Sequence, residues 1–240
     1  MSTGQTPSRP QKYFAIVPAA GVGSRVGHAT PKQYLALAGS SALEWSVRTL
    51  LSARWIDRVV VVVAERDLRA HAVLEVAMRG DPRLRVAAVG GATRRDTVLA
   101  ALDCLDTASE DDFVLVHDAA RPGLDRGSLE RLRDELGAHP TGGLLALALD
   151  DTLKRASATG EVGATLPREG LWLAQTPQMF RYRLLRDALS RHPAVTDEAG
   201  AIEADGLELR VVRGERANFK ITTAEDLAMM DVLLRVRAQR

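Results

Sequence analysis

Apolar runs at 14–17, 59–63, 84–89, 113–116 and 144–149 alternate with stretches in which apolar residues return every three or four positions. Short runs of this kind predict buried strands and the longer period predicts amphipathic helices, so the chain reads as repeated βα units around a largely parallel sheet. Ser40-Ser41 can cap a helix whose Leu43, Val47 and Leu50 share one face, and Val73, Val76 and Ala77 do the same in the next. Segments 94–107 and 129–136 supply two more helices. After Leu149 the rhythm breaks: 150–170 is polar, glycine-bearing and aperiodic. So long an excursion inside a compact domain predicts a functional loop or an interaction arm. Helices near 181–190 and 197–204, a strand at 207–212 and a closing helix from Thr223, with Glu225 and Asp226 in its first turn, complete the chain. The expected fold class is a single α/β domain.

Composition narrows the function more than the fold. With 240 residues, 46% of them apolar, the chain can bury one sizeable core. A formal net charge of +1 without any long block of like charge argues against an electrostatic nucleic-acid binder and for small partners. Residues 1–12 lack the apolar centre of a signal peptide and read as a disordered leader. The longest aliphatic run, 59–64, is too short to cross a bilayer. A single cysteine, Cys104, excludes an internal disulfide and suits a reducing cytoplasm; its neighbours Val98, Leu102 and Leu105 predict burial.

The first strand runs into Gly21-Val-Gly23-Ser-Arg25-Val-Gly27 and then Pro31-Lys32-Gln33. Glycines let the backbone approach a ligand and aim successive N–H groups at its oxygens, and Arg25 and Lys32 add full positive charge, which suits a polyphosphate. The spacing matches neither a dinucleotide fingerprint nor a P-loop. Of the 32 basic residues only four are lysine, at 12, 32, 154 and 220, which marks Lys32, Lys154 and Lys220 as places where a compact ammonium is wanted. Gly90-Gly91 with Arg94 and Thr97 follows the third strand, and His117-Asp118-Ala-Ala-Arg121-Pro122 follows the fourth. Ligands of open parallel sheets bind beyond the carboxyl ends of the strands, so these groups converge on one edge. Asp118 suits Mg²⁺ shared with substrate phosphates, a helix cap, or an ion pair with Arg121. His117 reads as structural. The other histidines have no metal spacing, and no nucleophile elbow or Cys–His pairing occurs. A phosphate monoester needs no such base: its oxygen is anionic at neutral pH and can attack the α-phosphorus of a nucleoside triphosphate, given Mg²⁺ and positioned cations.

Together with Asp151-Thr152-Leu-Lys154, Trp172, Gln175-Thr-Pro-Gln178, Thr196-Asp-Glu198 and Asn218-Phe-Lys220-Ile-Thr222, these motifs resemble the 2-C-methyl-D-erythritol 4-phosphate cytidylyltransferase family, collinearly from Phe14 to the last helix. The resemblance implies transfer of CMP from CTP to methylerythritol phosphate in the non-mevalonate route to isoprenoids. It also implies a Rossmann-like, glycosyltransferase-A-like fold and a homodimer in the cytoplasm, with 150–170 as the exchanging arm. In that family's pattern Arg25 and Lys32 brace the triphosphate and the pentacoordinate phosphorus, and Asp118 holds Mg²⁺ or another divalent cation. Ala19, Ala20, Gly21, Gly91, Thr97, Ala119 and Arg121 line the nucleotide. Arg168 and Lys220 position the acceptor phosphate, beside Thr152 and Thr176, and some of these groups serve the partner's site. Ala92 and Pro167 depart from the pattern, each standing where relatives carry an acidic residue. A ribitol 5-phosphate cytidylyltransferase and a non-catalytic nucleotide-binding scaffold are the alternatives.

Overall fold

The computed structural model describes residues 9–21, 31–77 and 80–239. In chain order the elements are β1 (Tyr13–Pro18), β2 (Ala36–Leu37), β3 (Ser40–Ser41), α1 (Ala42–Ser52), β4 (Arg58–Val62), α2 (Arg69–Ala77), β5 (Leu84–Ala87), α3 (Arg94–Asp103) and β6 (Phe113–Val116). There follow α4 (Arg126–Leu136), β7 (Gly142–Ala148), β8 (Leu153–Ala156), β9 (Val162–Leu166), β10 (Trp172–Arg181), α5 (Tyr182–Arg191), α6 (Glu198–Ala204), β11 (Arg210–Arg213) and α7 (Ala224–Ala238). Seven strands form one sheet in the order β11-β7-β10-β6-β1-β4-β5. Every pairing is parallel except those of β10, which runs antiparallel to both β6 and β7.

Strand side chains alternate faces, and the core divides accordingly. Ala15, Val17, Val59 and Val61 pack with Leu43, Val47 and Leu50 of α1 and Leu129 and Leu132 of α4 on one face. Phe14, Ile16, Val60 and Val62 meet Val98 and Leu102 of α3, Leu185 and Leu189 of α5 and Ile202 of α6 on the other. Burial on both faces is why these strands are continuously apolar rather than alternating. Removing such a buried leucine side chain costs about 2–5 kcal/mol. A smaller cluster of Leu37, Ala42, Ile221, Met230 and Leu234 fastens α7 to the β2–β3 turn. Capping boxes start three helices: Ser41 with Glu44 on α1, Thr93 with Asp96 on α3 and Thr223 with Asp226 on α7.

Several expected boundaries move. The 94–107 helix stops at Asp103, because its bonds tighten to i−3 from there on, Cys104 N–H to Ala101 and Leu105 N–H to Leu102. Cys104, expected to be buried, is half-buried at this cap. The 84–89 strand ends at Ala87, where β4 ceases to pair with it. The 207–212 strand begins only at Arg210, since the Leu207 N–H is spent on the Ile202 carbonyl at the end of α6. β10 is absent from the sequence reading. Its Gln175-Thr176-Pro177-Gln178 centre looks like a loop, and the register against β7 shifts between Ala174 and Gln178, an irregularity that admits a proline within a central strand. Residues 9–12, read as leader, lie along the 107–112 turn through Arg9 to Asp112, Gln11 to the Asp111 carbonyl and Lys12 N–H to Asp112.

The 150–170 excursion is a β-hairpin. β8 and β9 pair only with each other, and all residues from 150 to 170 are exposed except the half-buried Leu153 and Leu166. It leaves the sheet between β7 and β10, whose strands close beneath it at Ala148 and Trp172.

Candidate active site

The carboxyl ends of β1, β4, β5 and β6 form one rim. On it the Ala19 N–H bonds the Val62 carbonyl at 2.7 Å, and the buried Gln33 side chain donates to the carbonyls of Ala19 at 2.9 Å and Gly21 at 3.0 Å. Gln33 therefore fixes the backbone just where the glycine loop begins. Gly90 donates to the Val63 carbonyl at 2.9 Å, and a Cβ there would collide with Ala20 and with that same carbonyl. Gly91 donates to the Thr97 hydroxyl at 3.1 Å, which itself donates to the Thr93 carbonyl at 2.9 Å. Thr97 thus shapes the loop ahead of α3 with a hydroxyl already committed.

The chemistry concentrates at the end of β6. Asp118 Oδ1 accepts from Arg94 Nε at 3.1 Å, and its Oδ2 lies 2.7 Å from Lys220 Nζ and 3.8 Å from Arg121 Nε. Arg94 also grips both oxygens of the fully buried Glu198 from α6, at 2.6 and 3.0 Å. Burial alone would raise the Asp118 pKa, but Arg94, Lys220 and Arg121 outweigh it and hold the carboxyl far below the usual range. For Glu198 burial wins and the pKa rises, opposed by Arg94. Burial also lowers the pKa of the Arg94 guanidinium, yet Glu198 and Asp118 more than restore it, so the group stays charged.

The Asp118 backbone is fixed as firmly as its side chain. Its N–H donates to Thr176 Oγ1 at 3.0 Å, and Thr176 Oγ1 lies 3.0 Å from His117 Nδ1. His117 Nε2 is 3.2 Å from the Arg121 carbonyl, which can only accept. The imidazole therefore carries its proton on Nε2, and the Thr176 hydroxyl donates to Nδ1. Burial pushes the His117 pKa down to about 4, so the ring is neutral at pH 7 with both nitrogens occupied. It is a brace, in keeping with its structural reading.

β10 and the turn before α7 finish the wall. Asn218 donates to the Thr176 carbonyl at 2.8 Å, and Arg121 donates to the Asn218 carbonyl at 2.8 Å and the Ala174 carbonyl at 3.3 Å. Arg121 is thus a backbone clamp with its Nε lacking a hydrogen-bond partner. The Ala119 carbonyl accepts from Ser46 at 3.2 Å. Gln178 receives the Ala199 N–H at 2.7 Å and donates to Asp197 at 2.9 Å, which ties the start of α6 to the central strand.

Of the residues singled out in the sequence, Asp118, Thr176, Arg121 and Lys220 come together, with Ala119 beside them and Ala19, Ala20, Gly21, Gly91 and Thr97 on the adjoining rim. Arg25 and the Lys32 side chain lie outside the described residues. Arg168 and the exposed Thr152 stand apart on the hairpin. Arg168 bonds the Asp150 carbonyl at the hairpin's root, and no described hydrogen bond or ion pair joins either residue to Asp118. Arg94, a candidate from its place after the third strand, stands at the site, whereas Gln33, Glu198 and Asn218 occur within the motifs without an expected part; their polarity beside apolar runs is the available signal. Among the described residues no three His, Cys, Asp or Glu side chains cluster as a metal cage. Asp118 is a lone carboxylate, which suits a cation shared with a phosphate ligand rather than a resident one.

The sequence and the architecture have counterparts among known proteins. The model of the family described as "IspD: 2-C-methyl-D-erythritol 4-phosphate cytidylyltransferase" matches residues 13–236. The 2-C-methyl-D-erythritol 4-phosphate cytidylyltransferase of Dechloromonas aromatica is 48% identical over 229 residues, covering 94% of this chain and 99% of that protein. A crystal structure of 4-diphosphocytidyl-2C-methyl-D-erythritol synthase superposes with a TM-score of 0.81 at 38% identity, over 93% of this chain and 99% of that one. The Francisella tularensis cytidylyltransferase structure gives 0.76 at 32% identity, over 92% and 99%. With nearly full coverage in both sequence and fold, and with Asp118, Arg121, Thr176 and Lys220 assembled at one sheet edge, the chain belongs to the 2-C-methyl-D-erythritol 4-phosphate cytidylyltransferase family.

Proposed function

We propose that this crevice transfers CMP from CTP to 2-C-methyl-D-erythritol 4-phosphate, giving 4-diphosphocytidyl-2-C-methyl-D-erythritol and pyrophosphate in isoprenoid synthesis by the non-mevalonate route. The observation that carries the reading is the Asp118–Lys220–Arg94 constellation at the strand ends, with no base poised beside it among the described residues: the adjacent imidazole is neutral and fully hydrogen-bonded. The acceptor's phosphate oxygen is already anionic at neutral pH and is itself the nucleophile. It forms a bond to the α-phosphorus as the bond to the β-phosphate oxygen breaks, so no proton moves and the protein's task is placement and charge neutralisation.

In this reading Arg25 and Lys32 brace the triphosphate, and the rim of Ala19, Ala20, Gly21 and Gly91 receives the nucleotide. Asp118 would hold Mg²⁺, which when bound neutralises phosphate charge and fixes the triphosphate's orientation. Lys220, 2.7 Å from Asp118, would position the acceptor phosphate. Thr152 and Arg168 reach a site only from the hairpin, and we assign them to the crevice of a second copy. Val162, Leu171, Trp172 and Leu173, large apolar residues exposed along the hairpin and its root, support a homodimer that covers them. No described helix is long and apolar enough to cross a membrane, and with the free Cys104 this favours the cytoplasm.

Pyrophosphate release tests the reading. Mg²⁺-dependent release is expected with CTP and methylerythritol 4-phosphate and not with ATP. Release with ribitol 5-phosphate instead would move the chain to the ribitol branch, and silence with both acceptors would leave a binding scaffold.

A further inference from the structure

We propose that Arg94 and Glu198 are positioning residues that set the orientation and effective charge of Asp118; the inference rests on Asp118 serving the reaction. Three elements meet in this chain of charges. Arg94 is the first residue of α3, Glu198 the first of α6, and Asp118 follows β6. The Arg94 guanidinium spans them, with Nε on Asp118 and both terminal nitrogens on Glu198.

Two arguments separate this arrangement from a merely structural ion pair. The first is cost: a carboxylate with no solvent exposure is expensive to bury, and an apolar pair of similar volume would hold α3 to α6 at least as well. The second is charge. Asp118 faces Arg94, Lys220 and Arg121, three cations for one carboxylate. Glu198 takes up the charge of Arg94 in a two-pronged contact, so Arg94 can orient Asp118 Oδ1 without fully neutralising it. What remains on Asp118 is available to Lys220 and to a divalent cation. Glu198 is in turn registered to β10, because Gln178 bonds the backbone of Ala199 and the side chain of Asp197 on either side of it. α3 carries Thr97, which holds the Gly91 N–H, so the same guanidinium links the acceptor side of the crevice to its nucleotide rim.

The test uses Glu198→Gln, which keeps shape and removes charge, beside Asp118→Asn. Turnover and the affinity of Mn²⁺ for the enzyme–CTP complex, read by electron paramagnetic resonance without acceptor, are measured for each. Glu198→Gln is expected to lower kcat at least 10-fold and weaken Mn²⁺ at least 5-fold, with its melting temperature recorded alongside. Native turnover and Mn²⁺ affinity in Glu198→Gln, with Asp118→Asn inactive, would overturn the positioning role alone. Native behaviour of Asp118→Asn would remove Asp118 itself, and the inference with it. Should Glu198→Gln fail to fold, the apolar double variant Arg94→Met, Glu198→Leu decides. Folded and at least 5-fold slower, it supports positioning; folded and as fast as wild type, it reduces the pair to a structural one.

Discussion

The rim at the end of β6 and the β8–β9 hairpin are built on opposite plans. At the rim polar groups hold one another in a connected network, and Asp118 is gripped through its N–H and both oxygens. The hairpin has one short ladder of its own and almost no buried surface; its polar contacts are local, such as Lys154 to Thr165 at 2.6 Å and Arg168 to the Asp150 carbonyl, apart from an ion pair of Asp150 with Arg216 at its root. A single chain therefore supplies a preorganised half-site and one tied down only at its root. The difference teaches that stability resides in the first and that the second gains its order from something else, which in our reading is a second copy.

Excising the hairpin gives the sharpest contrast. Replacing 150–170 by an Asn-Gly turn joins β7 to β10 where they already pair, so the melting temperature is expected to stay within a few degrees. Turnover should fall roughly 10³-fold for want of acceptor positioning, and size-exclusion chromatography with light scattering should report a monomer. A folded, dimeric and active excision variant would break the contrast. Thr176→Val works on the other half. It strips partners from the buried Asp118 N–H and His117 Nδ1 and is expected to cost about 3 kcal/mol in urea unfolding, with a loss of turnover.

A pH series probes the same brace. His117 has a folded pKa of about 4 against an ordinary 6.5, so the folded state binds fewer protons across that window. Its contribution is complete above pH 6.5 and declines as pH falls towards 4. Between pH 7 and pH 5 the wild type should lose about 2 kcal/mol more stability than His117→Gln, which has no such group to charge. The smallest effect belongs to the hairpin surface: Lys154→Ala removes an exposed contact and should change stability by no more than about 0.5 kcal/mol.

The two halves were also unequally legible in the sequence. Aliphatic runs announce β1, β4 and β6 because both of their faces are buried, and the functional residues follow directly on their ends. The hairpin's position was legible as a break in rhythm, but not its strands: exposed on both faces, Lys154 to Ala156 and Val162 to Thr165 have no apolar alternation to reveal them. β10 was hidden for a different reason. Its central residues are polar because they brace the site, Gln175 to the Glu215 carbonyl, Thr176 to Asp118 and Gln178 to α6, so local pattern and tertiary role disagree there. The Arg94–Glu198 pair spans 104 positions, and no local signal joins two charges so far apart.

Subunit complementation tests most directly whether the site is completed by a second copy. Lys32→Ala disables the crevice and Arg168→Ala disables the hairpin, and each variant alone is expected to lose turnover roughly 10²-fold. Refolded together in equal amounts, half of the dimers combine the two, and each of these carries one intact crevice served by one intact hairpin. About a quarter of wild-type turnover should return if Arg168 acts across the dimer. A mixture no more active than its separate components would place Arg168 in its own chain's site and contradict the account.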